Sequence, residues 1–257
     1  MDLKQAKALA RKRLGDKRYH HTLNVEKMAV KLAGHYGADP DQAALAALLH
    51  DTAKEMPTAD QLALLRAHPD LAGDTENRPT PIWHGVCAAI LARTEWGVTD
   101  EAVLSAVACH TAGKPGMTLL DKILFLADMT SAERDFDGVE SLRKLEFEDI
   151  DRAMLAALND SVSFVKHGGK PLDPMSAAAR RPSCGGAVPG PGRPGRGRVP
   201  CGGGAPGVRP RRRQAGKSSG RRPPGGPGRW AAEVAPWAEP RPLPRPLPTA
   251  YPVNGLY

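Results

Sequence analysis

The sequence predicts an all-α domain in residues 1–174, followed by a tail of different composition. Three observations support this prediction. Apolar residues recur every three or four positions along the first 174 residues, and these stretches follow helix-capping residues and end at Gly or Pro. No segment alternates apolar and polar residues as a half-buried strand does. We therefore expect a bundle of helices without a sheet.

The first predicted helices are the most clearly marked. Residues 1–15 lack the apolar core of a signal peptide and are typical of an ordinary helix. The second helix carries an apolar stripe at i, i+4, i+7 and i+11, formed by His21, Val25, Met28 and Leu32. Residues 39–42 then supply an N-cap Asp, a Pro at the first helical position and a capping-box Gln. The helix that they open is small or apolar on every side, so we expect it at the centre of the bundle.

The remaining elements follow from the same signals. Thr58 and Gln61 form a second capping-box pattern, which predicts a short helix ending before Pro69. Residues 70–81 are polar and turn-rich, and we expect a loop there. Further helices are predicted at about 82–95, 100–110, 118–129 and 147–166, the last of them ended by Gly168-Gly169 and Pro171.

The tail, residues 175–257, differs sharply from the domain. It holds 16 Gly and 17 Pro, and 15 Lys and Arg against two acidic residues, so the basic net charge of +8 belongs to the tail. Such a composition buries too little apolar surface to offset chain entropy, and we expect disorder. Two interpretations remain open: a solvated basic tail, or a GC-rich coding region translated out of frame.

Composition also excludes several function classes. No segment approaches the ~20 apolar residues of a membrane span. The four cysteines have neither disulfide-framework nor zinc-site spacing, which indicates a reducing compartment. We therefore expect a cytoplasmic protein with a small-molecule substrate and with neither a membrane nor a specific nucleic-acid partner.

The chemistry is indicated by where His and Asp residues fall. Metal-binding residue types lie on core-facing stripes near helix ends, at His21, His50, Asp51, His84, His110 and Asp128. Burying them unpaired would cost about 1–3 kcal/mol each. A shared metal centre removes that cost, and the two oxygens of Asp51 could bridge two ions. A lone buried His is more often a hydrogen-bonded core residue than a ligand, so the joint order of the six residues is what supports the metal site.

Other His and Cys residues are interpreted as structural or surface residues rather than as metal ligands. His20 points away from the stripe of His21, and we expect Cys87 and Cys109 to be core fillers rather than ligands.

The order of His21, His50-Asp51 and Asp128 resembles the signature of the HD superfamily of metal-dependent phosphohydrolases. The flanking segments are similar to those of the symmetrical, YqeK-type diadenosine tetraphosphate hydrolases of bacteria. These segments are RYHHTLNV at 18–25, LAALLHDTAKEMP at 45–57, WHGVCAAILA at 83–92, CHTAGKPGMTLLDKILFLAD at 109–128 and RDFDGVESLRKL at 134–145. The resemblance covers residues 4–173 and implies an HD-domain helical bundle with a di-iron centre that cleaves diadenosine tetraphosphate into two ADP.

The resemblance also implies roles for individual residues. One metal ion would be held by His21, His50, Asp51 and Asp128, and the second by His84 and His110, with Asp51 shared. Iron is the metal that the resemblance implies, although Mn and Zn suit the same mixture of ligands. Asp51 and Lys54 are the catalytic candidates, and the substrate candidates are Arg18, Lys54, Thr111, Lys114 and Arg134.

The sequence departs from the family pattern at two places. His20 stands where the family usually has an acidic residue. After Asp128 the family commonly has Tyr-Ile-Glu-Pro, whereas this chain has Met129-Thr130-Ser131-Ala132. A glutamate expected near the metal ligands or the substrate is therefore missing at that point.

Two other functions remain open from the sequence. One is an HD phosphohydrolase acting on another nucleotide, such as a mononucleotide or an alarmone. The other is a non-catalytic nucleotide-binding module, which the complete set of ligand candidates disfavours. The sequence also leaves open whether the protein forms a homodimer.

Overall fold

The computed structural model describes residues 1–180, and within them every regular element is helical, as predicted. The predicted disordered tail lies outside the described residues from residue 181 onwards. Two single-turn 3-10 helices, Thr75–Asn77 and Thr80–Ile82, precede α6. The α-helices are α1 Leu3–Arg13, α2 Asp16–Tyr36, α3 Pro40–Leu49, α4 Thr58–Ala67, α5 Pro69–Ala72, α6 Trp83–Thr94, α7 Glu101–Cys109, α8 Leu119–Thr130, α9 Val139–Glu148, α10 Ile150–His167 and α11 Pro174–Ala179.

Helix α3 occupies the centre of the bundle, as its composition predicts. The Asp39 side chain accepts hydrogen bonds from the backbone N–H groups of Asp41 and Gln42, and Pro40 occupies the first turn. Six of the ten residues of α3 are buried, and the helix packs against α1, α2, α6, α7 and α8. Small alanines let these neighbours approach closely, so the end of α3 lies deep in the protein.

Helices α6 and α7 cross at very short range. A Cβ atom at Gly85 would lie 3.0 Å from the Val107 carbonyl oxygen and 3.1 Å from Cε1 of His110. A side chain there would require the α7 backbone or the His110 ring to move by a few tenths of an ångström, so the glycine favours the close approach of the two helices.

Both predicted capping boxes differ in detail from the structure. The side chain of Gln42 donates to Asp100 at 2.7 Å instead of returning to Asp39. Helix α4 begins at Thr58 itself, with Pro57 at the N-cap and no side-chain cap. The amide of Gln61 donates to the Met56 carbonyl, because a helix that starts one residue earlier leaves no capping partner for it.

Helices α5, α9 and α11 and both 3-10 helices were not predicted from the sequence. Residues 70–81 are not a plain loop but contain the last turns of α5 and the two 3-10 helices. Helix α9 was missed, and the predicted helix at 147–166 begins only at Ile150. Its apolar stripe of Val139, Leu142 and Leu145 is short, and the next buried position is the charged Glu146, so the helix was hard to detect.

The ordered chain extends beyond residue 174. A bidentate ion pair joins Arg78 and Asp173, with N···O distances of 2.9 and 2.6 Å, and Asp173 is buried. Helix α11 follows directly, and Ala179 lies 3.4 Å from the position of a Cβ on Gly113. In this part of the chain no helix has the length and apolarity needed to span a membrane.

Candidate metal and nucleotide site

Five helices bring the predicted ligand residues together. His50 and Asp51 directly follow α3, and His110 directly follows α7. The other three lie on helices α2, α6 and α8, at His21, His84 and Asp128. Every one of the six is therefore held by a helix that also contributes to the core.

The two oxygens of Asp51 face two different groups of histidines. Oδ1 lies 3.3 Å from Nε2 of His84 and 3.8 Å from Nε2 of His110. Oδ2 lies 3.6 Å from Nε2 of His50 and 4.0 Å from Nε2 of His21. Asp51 thus occupies the boundary between two candidate metal positions, and each position has its own imidazoles.

Asp128 completes the group that contains His21. Its Oδ1 lies 3.0 Å from Nε2 of His21. Three sets of ligand atoms lie within 4.8 Å of one another, namely His21 with His50 and Asp51, His50 with His110 and Asp128, and Asp51 with His84 and His110.

The hydrogen bonds of the histidines leave lone pairs directed into the cluster. Nδ1 of His50 lies 2.6 Å from the Ala47 carbonyl oxygen, and Nδ1 of His110 lies 2.8 Å from that of Val107. A carbonyl accepts only, so each Nδ1 carries the proton and each Nε2 has a free lone pair. Nε2 of His50 is buried without a hydrogen-bond partner among the described residues. An orphaned, correctly oriented imidazole nitrogen fits a metal ligand.

At three of the four histidines and at Asp51 the charge states also suit a metal. Burial lowers the pKa of His50, His84 and His110, that of His110 to about 3, so these imidazoles are neutral. Burial alone would raise the pKa of Asp51, but electrostatic interactions with His50 and Lys54 and the hydrogen bond with His84 hold it well below its usual range. Neutral imidazoles and ionised carboxylates are the forms that bind metal.

Asp128 and His21 form the more polar end of the cluster. Burial opposes ionisation of Asp128, but the charge of Arg134 and the hydrogen bond to His21 keep its pKa well below the usual range. Burial by itself lowers the pKa of His21. The hydrogen bonds to Asp128 and Glu133 outweigh this effect and raise the pKa to about 9.

Four of the five predicted substrate residues contact the cluster. Arg18 donates to Oδ2 of Asp51 at 2.6 Å, and Arg134 donates to Oδ1 of Asp128 at 2.7 Å. Nζ of Lys54 lies 3.2 Å from Nε2 of His84. The Thr111 hydroxyl lies 3.0 Å from Nε2 of His110. A set of cations and one hydroxyl thus surrounds the ligand groups.

Lys114 lies elsewhere. Its ammonium contacts Ser105 at 2.5 Å and the buried Asp121 at 3.2 Å, and Ser105 donates to Asp121 at 2.6 Å. The structure brings Lys114 into this second polar cluster rather than to the candidate metal site. We therefore leave it out of the proposed phosphate site.

Sequence reasoning missed Glu133. Its carboxylate contacts Nδ1 of His21, although the two residues are 112 positions apart. No helical periodicity marks a residue in an irregular loop, and the family pattern draws attention to position 131 instead. Arg143 was missed for a different reason: it lies on α9, a helix that the sequence analysis did not predict. It donates to the carbonyls of Thr130, Ser131 and Arg134, and so fixes this loop.

Exposure differs across the cluster. His84 and His110 are almost fully buried, whereas Arg18 and Arg134 expose 34% and 35% of their side chains. A cavity of about 490 Å³ begins at Arg134 and extends along residues 135–143. Arg134 therefore belongs both to the cluster and to the cavity wall.

The cysteines of the domain take no part in the site. Cys87 and Cys109 are buried free thiols, and burial raises the pKa of Cys87 to about 12. His20 is exposed, as expected.

Comparison with known proteins gives consistent results. The HD domain family model matches residues 18–133. The symmetrical bis(5'-nucleosyl)-tetraphosphatase of Bacillus subtilis is 34% identical over 174 residues, which cover 68% of this chain and 93% of that protein. The protein of the same description from Halalkalibacterium halodurans is 36% identical over 183 residues, covering 69% of this chain and 95% of that protein.

A solved structure is also similar. It is the crystal structure of a predicted HD superfamily hydrolase involved in NAD metabolism from Clostridium acetobutylicum. The TM-score is 0.67 at 36% identity, with 70% of this chain and 95% of that chain covered.

Proposed function

The chain belongs to the HD-domain family of symmetrical bis(5'-nucleosyl)-tetraphosphatases, and on that premise we propose that its domain hydrolyses diadenosine tetraphosphate to two ADP at the His/Asp cluster. The observation that carries the proposal is the position of Asp51, with one oxygen toward each group of histidines. Water is added across the central P–O–P linkage, so both products are the same nucleoside diphosphate.

The proposed ligands divide between two divalent metal ions. His21, His50, Asp51 and Asp128 would hold one ion, and His84, His110 and the shared Asp51 the other. Mixed imidazole and carboxylate ligation suits iron, which we propose as the resident metal, and also Mn or Zn. When bound, the ions supply Lewis acidity, which lowers the pKa of a water molecule and neutralises phosphate charge.

The basic residues around the cluster account for recognition of the polyphosphate. Phosphoryl transfer depends mainly on positioning and on neutralising negative charge. Arg18 lies on the Asp51 side of the cluster and Arg134 on the Asp128 side. We assign them to phosphate oxygens on either side of the cleaved linkage, with Lys54 and Thr111 as donors near His84 and His110.

The cavity beside Arg134 suits one nucleoside half of the substrate. Its volume of about 490 Å³ lies within the range of small-molecule sites. Because Arg134 joins the cavity to the cluster, a nucleoside held there would direct its phosphates toward Asp128. The partner that we propose is therefore a small nucleotide.

Product analysis tests the proposal. Metal-loaded protein is incubated with diadenosine tetraphosphate, other dinucleoside polyphosphates, mononucleotides and alarmones, and the products are separated by chromatography. We expect ADP alone from diadenosine tetraphosphate. ATP with AMP would mean attack at an outer phosphate and would contradict the proposed function. Faster hydrolysis of another nucleotide would mean that this nucleotide, and not diadenosine tetraphosphate, is the substrate.

A matched pair of variants tests the role of Arg134. Removing one charged donor from a phosphoryl-transfer site costs on the order of 10²-fold in rate, so Arg134→Met should lower kcat/KM by about that factor. Arg152→Met on the exposed face of α10 is the control and should retain activity. Equal activity of the two variants would exclude Arg134 from the phosphate site.

A further inference from the structure

We propose that Glu133 is a positioning residue that orients His21 toward the metal, in the place of the glutamate that this chain lacks at position 131. The inference rests on the proposed function only in taking His21 as a metal ligand. It concerns the contact between the carboxylate of Glu133 and Nδ1 of His21, the ring nitrogen that does not face the other candidate ligands.

His21 is held differently from His50 and His110. Those two imidazoles donate Nδ1–H to backbone carbonyls of their own helix turn. Nδ1 of His21 instead contacts Oε1 of Glu133, while its Nε2 faces Asp128 and Asp51. A carboxylate on Nδ1 keeps the proton there and leaves the Nε2 lone pair for a metal. Glu133 therefore gives His21 the orientation that backbone carbonyls give the other two.

Glu133 is itself held in place by neighbouring side chains. The Asn24 amide donates to its Oε2 at 2.7 Å, and the Ser131 hydroxyl donates to its Oε1 at 2.7 Å. Arg143 fixes the loop through the carbonyls of Thr130, Ser131 and Arg134, at 2.8–2.9 Å. The Glu133 side chain is 37% exposed, so water could satisfy its carboxylate, and the protein nevertheless supplies these donors.

Residue 131 lies next to the contact between Glu133 and His21. Ser131 is fully buried, and its hydroxyl reaches the very carboxylate oxygen that contacts His21. A glutamate side chain carries its carboxylate oxygens two bonds beyond the position of the serine hydroxyl, and that hydroxyl lies 2.7 Å from Oε1 of Glu133. A carboxylate from either position can therefore reach Nδ1 of His21, so Glu133 compensates for Ser131.

The test measures metal retention rather than turnover. Wild type, Glu133→Ala, Glu133→Gln and the double variant Ser131→Glu/Glu133→Ala are loaded with Fe²⁺ or Mn²⁺. The rate of metal loss to a chelator is then followed, with bound metal quantified by mass spectrometry. Glu148→Gln, on the exposed side of α9, is the matched control.

We expect Glu133→Ala to hold one metal ion about 10–100-fold more weakly, the usual effect of losing a carboxylate behind a ligand histidine. Glu133→Gln should lose less, because its amide oxygen still accepts from Nδ1–H. The double variant should recover retention to near that of wild type, a rescue that a merely structural role does not predict. Glu148→Gln should behave as wild type.

Three results would overturn the inference. They are unchanged retention in Glu133→Ala, no recovery in the double variant, and equal loss in the Glu148→Gln control. The proposed function fails separately: if wild type retains metal but does not cleave diadenosine tetraphosphate, the substrate is wrong while the role of Glu133 stands. Metal-free Glu133→Ala could unfold at a lower temperature than metal-free wild type. In that case the double variant distinguishes the two roles, because recovery of metal retention supports the inference and no recovery overturns it.

Discussion

Two polar clusters share helices α7 and α8, and they differ in how completely their groups are paired. In the Ser105–Lys114–Asp121 cluster each hydroxyl or ammonium donor meets a carboxylate or hydroxyl oxygen, and the Thr118 backbone N–H also donates to Asp121. In the His/Asp cluster several Nε2 lone pairs converge, and that of His50 has no partner within residues 1–180. A complete network stabilises the fold by itself, whereas converging acceptors require a ligand.

The comparison predicts the largest effect for Asp51. Asp51→Ala removes the one carboxylate that faces both histidine groups, so both metal ions and activity should be lost, with kcat/KM down by at least about 10³-fold. Metal analysis of the purified variant checks this. A variant with its full metal content would end the interpretation of Asp51 as the shared ligand.

The paired cluster should respond in the opposite way. Asp121→Ala leaves Lys114 and Ser105 without their acceptor and removes the capping box of α8, so the free energy of unfolding should fall by about 3 kcal/mol. Metal content and kcat should stay close to those of wild type. Urea denaturation measures the stability, and metal analysis measures the metal content. If Asp121→Ala lost metal with unchanged stability, the Ser105–Lys114–Asp121 cluster would act in metal binding rather than in stabilising the fold.

Gly85 tests whether helix spacing sets the second metal position. Gly85→Ala inserts a methyl group 3.0 Å from the Val107 carbonyl oxygen and 3.1 Å from Cε1 of His110, so the backbone of α7 or the His110 ring should shift by a few tenths of an ångström relative to His84. We expect about 10–100-fold weaker binding at the His84 position. Isothermal titration with Mn²⁺ would resolve the two sites. Gly34→Ala, where a Cβ meets nothing within 4 Å, is the control.

Glu146 shows that one unpaired atom does not make a site. Its Oε2 accepts from Thr130, and its Oε1 has no partner in the described chain. Burial raises the pKa of Glu146 to about 7, partly offset by Thr130, Arg143 and Lys31. Between pH 4.5 and 7 the folded state keeps a proton that the unfolded state releases, so this residue makes stability fall as pH rises through that window.

Glu146→Gln should remove this pH dependence and keep the Thr130 bond. At pH 8 the variant should be more stable than wild type by about 1–3 kcal/mol, and by less than about 1 kcal/mol at pH 5. Denaturation at both pH values is the measurement. A variant that is less stable at pH 8 would mean that the carboxylate is paired after all.

The sequence predicted most of the site because helical phase governs it. His21, His84, His110 and Asp128 each lie in register with apolar neighbours, and residues 39–42 mark the start of α3 by local chemistry alone. Glu133 and Lys114 could not be placed in the same way. Their partners are set by irregular loops, whose path depends on contacts such as those of Arg143 rather than on a period. Helix α9 escaped detection because the buried Glu146 interrupts its short apolar stripe.

The ion pair between Arg78 and Asp173 has a consequence for anything attached to the C-terminal side of the domain. Because it anchors the chain just before α11, and Ala179 lies against Gly113, a fused segment after Arg180 starts near the loop that follows His110. A short tether confers an effective concentration in the millimolar range. A polyhistidine tag placed there would compete with the domain for its ions, so an N-terminal tag is the better choice for measuring metal content.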